Sequence, residues 1–122
     1  MSQVLLVEDE PDLRLLATML LTLAGHDVVE ADTGEMALGI IASGAAFDVM
    51  VLDIRLPGIS GWDVLLRLDE MGARTDLGVV IFSAHVGPEL ARKADEFGAD
   101  VYLTKPYEDQ ELLDAVTRAA RV

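Results

Sequence analysis

The sequence predicts an α/β fold: a doubly wound parallel sheet of five strands with helices on both faces. Three observations lead there. Five short, valine-rich apolar runs punctuate the chain, stretches with helical spacing separate them, and acids, a hydroxyl and a lysine follow directly after the runs. The 122 residues suit one domain, expected to span 1–122. A chain of that size buries roughly two-thirds of its unfolded surface, enough for a real core.

The elements follow in order. Val4–Val7 reads as the first strand. In the helix after it, Leu13, Leu16, Ala17, Leu20 and Ala24 carry the i, i+3, i+4, i+7, i+11 spacing of one buried face, and Gly25 marks the stop. Val28–Val29 is the second strand, followed by a helix over about Gly34–Ala42. Val49–Leu52, Val79–Phe82 and Val101–Leu103 are the third, fourth and fifth. Helices are expected after them over about Gly61–Met71, Pro88–Phe97 and Tyr107–Ala120. Mostly unbroken apolar runs suit strands covered on both faces. Right-handed crossovers leave few topologies, and five βα units favour the flavodoxin-like strand order 2-1-3-4-5.

Composition narrows the function. With 22 acidic and 9 basic side chains the formal charge is −13. That balance argues against direct binding of nucleic acid or an anionic membrane, both of which call for a basic footprint. Cysteine is absent, so there is no thiolate metal site, disulfide or cysteine nucleophile. The N-terminus lacks the pattern of a signal peptide, and no apolar run approaches the ~20 residues that span a bilayer. A soluble cytoplasmic domain is expected.

In an open α/β sheet the ligand site lies beyond the carboxyl ends of the strands, at the switch point between strands 1 and 3. Strand 1 runs out into Glu8-Asp9-Glu10, strand 3 into Asp53, strand 4 into Ser83-Ala84 and strand 5 into Thr104-Lys105-Pro106. Carboxylates gathered this closely repel one another unless a cation joins them. Mg²⁺ fits, since it takes a few carboxylates together with waters and phosphate oxygens. Only two lysines exist, Lys93 and Lys105, and one of them falls at this rim, where it can neutralise a phosphoryl oxygen. The site reads as an aspartate that accepts a phosphoryl group with metal help, Ser83 donating to another oxygen.

Taken together, Val7-Glu8-Asp9-Glu10, Val51-Leu52-Asp53-Ile54-Arg55-Leu56-Pro57-Gly58, Phe82-Ser83-Ala84 and Leu103-Thr104-Lys105-Pro106 resemble the receiver domains of two-component response regulators, the CheY-like family. The resemblance runs from Val4 to about Ala120. It implies that Asp53 is the phosphoacceptor, charged by a histidine kinase or a phosphotransfer protein. It implies that Asp9 and Asp53 ligate Mg²⁺, with Glu8 acting through water and the Arg55 backbone carbonyl as a further ligand. Lys105 and Ser83 would contact phosphoryl oxygens, Tyr102 would turn inward as Ser83 is drawn to the phosphate, and the Lys105-Pro106 bond would be cis. The output would be a changed surface on helix 4, strand 5 and helix 5, shown to a protein target. The chemistry would be self-catalysed transfer and autodephosphorylation rather than that of an enzyme acting on a separate substrate.

Other positions divide between roles. Arg55 either guards the path of attacking water, pairs with an acid or is a plain loop arginine, while His85 reads as a solvated loop histidine. Glu10 and Asp12 suit the start of a helix, where acids are favoured. Trp62 reads as a packing or half-exposed residue, and His26, in a turn, carries no assigned role. Leu15 and Met19 fall well off the face marked by Leu13 and Leu20, so they either pack on helix 5 or dock a kinase helix.

Three rivals are weaker. A haloacid-dehalogenase-type phosphatase resembles Asp-x-Asp at the nucleophile, and Arg55 stands where its second acid belongs. A flavin carrier requires a hydroxyl- and glycine-rich phosphate loop where Glu8-Asp9-Glu10-Pro11 stands. A phosphorylation-independent pseudo-receiver typically lacks an acid or the lysine. No output module is recognisable in the sequence, so a stand-alone receiver and one cut from a hybrid kinase or larger regulator are both open, as are a monomer and a phosphorylation-dependent dimer.

Overall fold

A computed structural model describes residues 2–84 and 87–120. Strands β1 (Gln3–Val7), β2 (Asp27–Ala31), β3 (Val49–Asp53), β4 (Gly78–Ser83) and β5 (Val101–Thr104) alternate with helices α1 (Pro11–Leu23), α2 (Gly34–Ala42), α3 (Gly61–Glu70), α4 (Pro88–Glu96) and α5 (Asp109–Ala119). The sheet order is β2-β1-β3-β4-β5, as expected, and every neighbouring pair is parallel. Each strand extends slightly beyond its apolar run, and the last helix starts two residues later than its spacing implied. His85 lies outside the described residues.

The unbroken apolar runs have a direct physical reason. Alternate residues of β1, β3 and β4 feed two separate cores, one on each face of the sheet. Leu5, Val7, Met50, Leu52, Val79 and Ile81 pack with residues of α2, α3 and α4. Val4, Leu6, Val49, Val51, Val80 and Phe82 pack with residues of α1 and α5. All twelve are essentially inaccessible to solvent. The edge strands differ, with Val29 on β2 and Tyr102 on β5 both exposed.

Helix 1 keeps Ala17 and the half-buried Leu20 of its expected face and turns the rest of that face to solvent. Ala17 and Leu21 are its buried residues, whereas Leu13 and Leu16 are 39% and 62% exposed and Ala24 lies at the surface. The helix is apolar over more than half its circumference, so spacing alone offers several faces. Contact with the sheet selects the one bearing the small Ala17. The helix begins at Pro11, a residue that needs no donor at the first turn, with Glu10 as N-cap accepting from Leu13 N–H at 3.0 Å.

Two clasps fix the helices on the far face. Trp62 of α3 is half-buried and packs at a tilt of 46° against Phe97 with ring centroids 4.9 Å apart, and Lys93 lies over the indole at 5.9 Å. Arg74, after α3, donates to the carbonyls of Phe97 (2.6 Å) and Gly98 (2.9 Å), covering the C-terminal end of α4. At the bottom of the sheet Gly78 lets α5 approach: a Cβ there would lie 1.8 Å from the Ala119 carbonyl oxygen.

Gly78→Ala is therefore expected to destabilise the fold by about 1–3 kcal/mol, because the obstacle is backbone that must shift. Gly39, in the middle of α2 with open space around its Cα, gives the opposite result. Gly39→Ala should stabilise by about 0.4–1 kcal/mol through the unfolded state. Urea unfolding midpoints at unchanged slope check both.

Candidate functional site

Three strands deliver charged side chains to one rim of the sheet. Glu8 follows β1 and is fully buried, Asp53 closes β3 at 4% exposure, and Asp9 stands at the surface between them. One carboxylate oxygen from each of the three lies within 4.8 Å of the others. Lys105, one residue past β5, reaches both buried acids, its Nζ at 2.7 Å from Glu8 Oε1 and 3.0 Å from Asp53 Oδ2.

The remaining oxygens of the buried acids are held by main chain. Glu8 Oε2 accepts from Glu10 N–H at 3.1 Å, and Asp53 Oδ1 accepts from Arg55 N–H at 3.1 Å. Both bonds turn a loop amide toward its own acid and fold the loops tightly after β1 and β3. The β3–α3 loop is pinned at its far end as well. Gly61 N–H donates to Ile54 O at 2.9 Å, and a Cβ on Gly61 would sit 2.6 Å from the Asp53 carbonyl oxygen. Ser60 and Asp63 close a capping box at the start of α3.

Lys105 lies 4.6 Å from the Phe82 ring centroid, and Phe82 in turn meets Tyr107 edge-on at 6.1 Å. Burial works to lower the Lys105 pKa, but hydrogen bonds to Glu8 and Asp53, with their charges, prevail and carry it above the usual lysine value. Burial pushes the Tyr107 phenol up. The Lys105–Pro106 peptide is cis, as the resemblance implied.

Ser83 ends β4 almost completely buried, and Lys105 N–H donates to its carbonyl at 2.8 Å. Tyr102, on β5, is 45% exposed and so faces outward. The Arg55 side chain is exposed and, among the described residues, forms no ion pair, so pairing with an acid is not its state here. Leu15 and Met19 are both more than half exposed, which removes packing on α5 as their explanation. Beside them Leu13, Leu16, Leu20, Pro106 and Leu112 line an apolar groove of ≈ 430 Å³ that opens next to Lys105.

Sequence reasoning missed Arg14, whose Nη1 donates to the Glu8 carbonyl at 2.9 Å and whose Nε pairs with Glu30 on β2 at 3.3 Å. The only signal was the one base of a mostly apolar helix, one turn after three acids.

The arrangement joins two buried carboxylates, an acidic cluster of hard oxygen donors and a fixed cation. The sequence profile of the family described as "Response regulator receiver domain" matches residues 4–117. The chain belongs to that family. It is similar to the C4-dicarboxylate transport transcriptional regulatory protein DctD of Pseudomonas aeruginosa, 39% identical over 99% of this chain and 26% of DctD. The transcriptional regulatory protein CpxR of Escherichia coli is 35% identical over 99% of this chain and 50% of CpxR. The chain thus spans about a quarter to a half of the curated relatives it matches. Among solved structures, the chemotaxis response regulator CheY4 of Vibrio cholerae superposes with a TM-score of 0.88 at 27% identity, covering 98% of each chain. The response regulator TrrA of Thermotoga maritima, solved in complex with Mg²⁺-BeF, gives 0.84 at 29% identity over 98% of this chain and 99% of that one. This is a receiver domain of a two-component response regulator, and among its described residues no helix is long and apolar enough to cross a membrane.

The raised Lys105 pKa has a measurable sign. Because its folded value exceeds the unfolded one near ~10.4, the contact's stability is fully present below that pH and lost as pH rises through the folded value. The Tyr107 phenol, also raised, adds loss in the same direction from about pH 10. Lys105→Met is expected to cost roughly 2–3 kcal/mol at pH 7 by leaving two buried acids without their cation. It should also flatten the alkaline decline, and Tyr107→Phe should flatten the rest. Urea titrations from pH 7 to pH 11 check this.

Proposed function

We propose that the receiver domain takes a phosphoryl group onto Asp53 with Mg²⁺ bound beside it, and passes the resulting change to a partner protein. The observation that carries this reading is Lys105 Nζ within hydrogen-bond distance of both Glu8 and Asp53, at the same rim as the Asp9 carboxylate. An Asp53 carboxylate oxygen attacks the phosphorus of a phosphohistidine. A new O–P bond forms, the P–N bond breaks, and the nitrogen takes a proton from water. Phosphoryl transfer rewards positioning and charge neutralisation above all else.

The hard oxygen donors fit Mg²⁺. Asp9, Asp53 and the Arg55 carbonyl would hold the ion directly, and Glu8 through water. When bound, the ion supplies neutralisation of the transferring oxygens. Lys105 neutralises a further oxygen as a point charge, and the Ser83 hydroxyl donates to another. Drawing Ser83 toward the phosphoryl group frees space for Tyr102, outward in this state, to turn in. The α4-β5-α5 surface then favours a second arrangement, a shift between two populations.

The phosphoryl donor is a histidine kinase or a phosphotransfer protein, and its helix docks on the exposed Leu15–Met19 face of α1 next to the acidic rim. The domain over 1–122 is not itself an enzyme acting on a separate substrate. It acts by protein contact, as its own chain or as a module of a larger regulator or hybrid kinase, without touching nucleic acid or membrane directly. A cytoplasmic location belongs to the same reading.

Incubation with Mg²⁺ and a small acyl phosphate, read by intact mass, tests the chemistry. One base-labile phosphoryl adduct is expected on the wild type and none on Asp53→Asn. Hydrolysis of ordinary phosphomonoesters would favour the phosphatase reading instead, and an inert wild type the pseudo-receiver.

Docking has a separate test. Leu15→Asp with Met19→Asp should slow phosphotransfer from a histidine kinase about tenfold or more, since covering the exposed half of each side chain contributes roughly 0.7 kcal/mol or more. The acyl phosphate reaction should be unchanged. Equal slowing of both reactions would show damage to the site rather than to docking.

A further inference from the structure

Arg14 grips the main chain beside the acids rather than the acids themselves. Its Nη1 donates to the Glu8 carbonyl at 2.9 Å and reaches the Asp9 carbonyl at 3.4 Å, yet it forms no ion pair with either carboxylate. On its other side Nε pairs with Glu30 Oε1 at 3.3 Å, and Glu30 Oε2 accepts from Thr18 Oγ1 at 2.6 Å. The chain of contacts runs from α1 to β2, back to α1, and into the loop between β1 and α1. A planar guanidinium with five donors suits such a bridge, whereas an ammonium can only approximate it.

We propose that Arg14 is a positioning residue for the acidic cluster: locked by Glu30 and Thr18, it holds the carbonyls of Glu8 and Asp9 and so keeps the two carboxylates at metal-binding spacing. The inference rests on the reading that Glu8, Asp9 and Asp53 hold Mg²⁺.

Simple electrostatics makes the opposite forecast. A cation near an acidic cluster repels Mg²⁺, so removing it should tighten binding. Positioning requires that removing it weaken binding, and that variants which keep the net charge weaken it too. The sign therefore separates the two accounts.

The test is the Mg²⁺ dissociation constant of the full chain by calorimetry, for wild type, Arg14→Ala, Arg14→Lys and Thr18→Val. The constant is expected to rise about tenfold in Arg14→Ala, about threefold in Arg14→Lys and measurably in Thr18→Val, the last two at unchanged net charge. A second readout needs no metal. The Glu10 amide, bonded to Glu8 Oε2 at 3.1 Å, should exchange with deuterium several-fold faster in Arg14→Ala and Arg14→Lys, with the far-strand amides unaltered. Should Arg14→Ala prove unfolded by circular dichroism, Arg14→Lys and Thr18→Val still decide. Equal or tighter Mg²⁺ binding in the variants, or an unchanged Glu10 amide, overturns the proposal while leaving the metal reading intact. A wild type that does not bind Mg²⁺ overturns both.

Discussion

The structure depends on one cation placed between two buried acids. Glu8 and Asp53 are almost completely withdrawn from water, and two such carboxylates side by side are untenable without a positive partner. Lys105 supplies it from 97 residues away from one acid and 52 from the other. In the observed strand order β4 lies between β3 and β5, so the lysine must cross the end of β4 to reach them. Phe82, the penultimate residue of β4, provides the surface it crosses, with the ammonium 4.6 Å from the ring centroid. The parallel arrangement, the aromatic at the end of β4 and the lysine after β5 are thus parts of one electrostatic solution.

Much of this was legible in the residues. Val4–Val7, Val49–Leu52 and Val79–Phe82 are unbroken because both sheet faces are covered, and that same fact settles their place in the sheet. Glu8, Asp9, Asp53, Ser83 and Lys105 were locatable because each lies at or just past the carboxyl end of a strand, where backbone topology and not packing detail sets position. The orientation of α1 was not legible. Leucines and alanines surround most of that helix, and the choice of Leu21 over Leu13 and Leu16 beside Ala17 is made by the sheet beneath. Arg14 escaped for a related reason, since its partners are backbone carbonyls and a residue on a different strand. Neither kind of contact leaves a spacing signature.

The acidic character of the chain also acquires a location. Glu10, with no place in the cluster's own contacts to Lys105, caps α1, and Asp63, in the first turn of α3, accepts from the Ser60 N–H at the cap position. The excess negative charge is therefore partly structural and partly held in reserve at the rim. There, Lys105 counters two acids and Asp9 stays at the surface.

The close seat of Gly61 has a mechanical consequence. Asp53 is backed on one side by a wall with little compliance, because the start of α3 presses on its carbonyl and the intervening loop is tied at both ends. On the same face of the sheet, α4 begins at Gly87 without a side-chain cap and carries its Glu89–Arg92 pair in solvent, while its C-terminal end is clasped by Arg74 and Trp62. The two neighbouring helices are thus tied at contrary ends, α3 where it starts beside Asp53 and α4 where it finishes at Phe97.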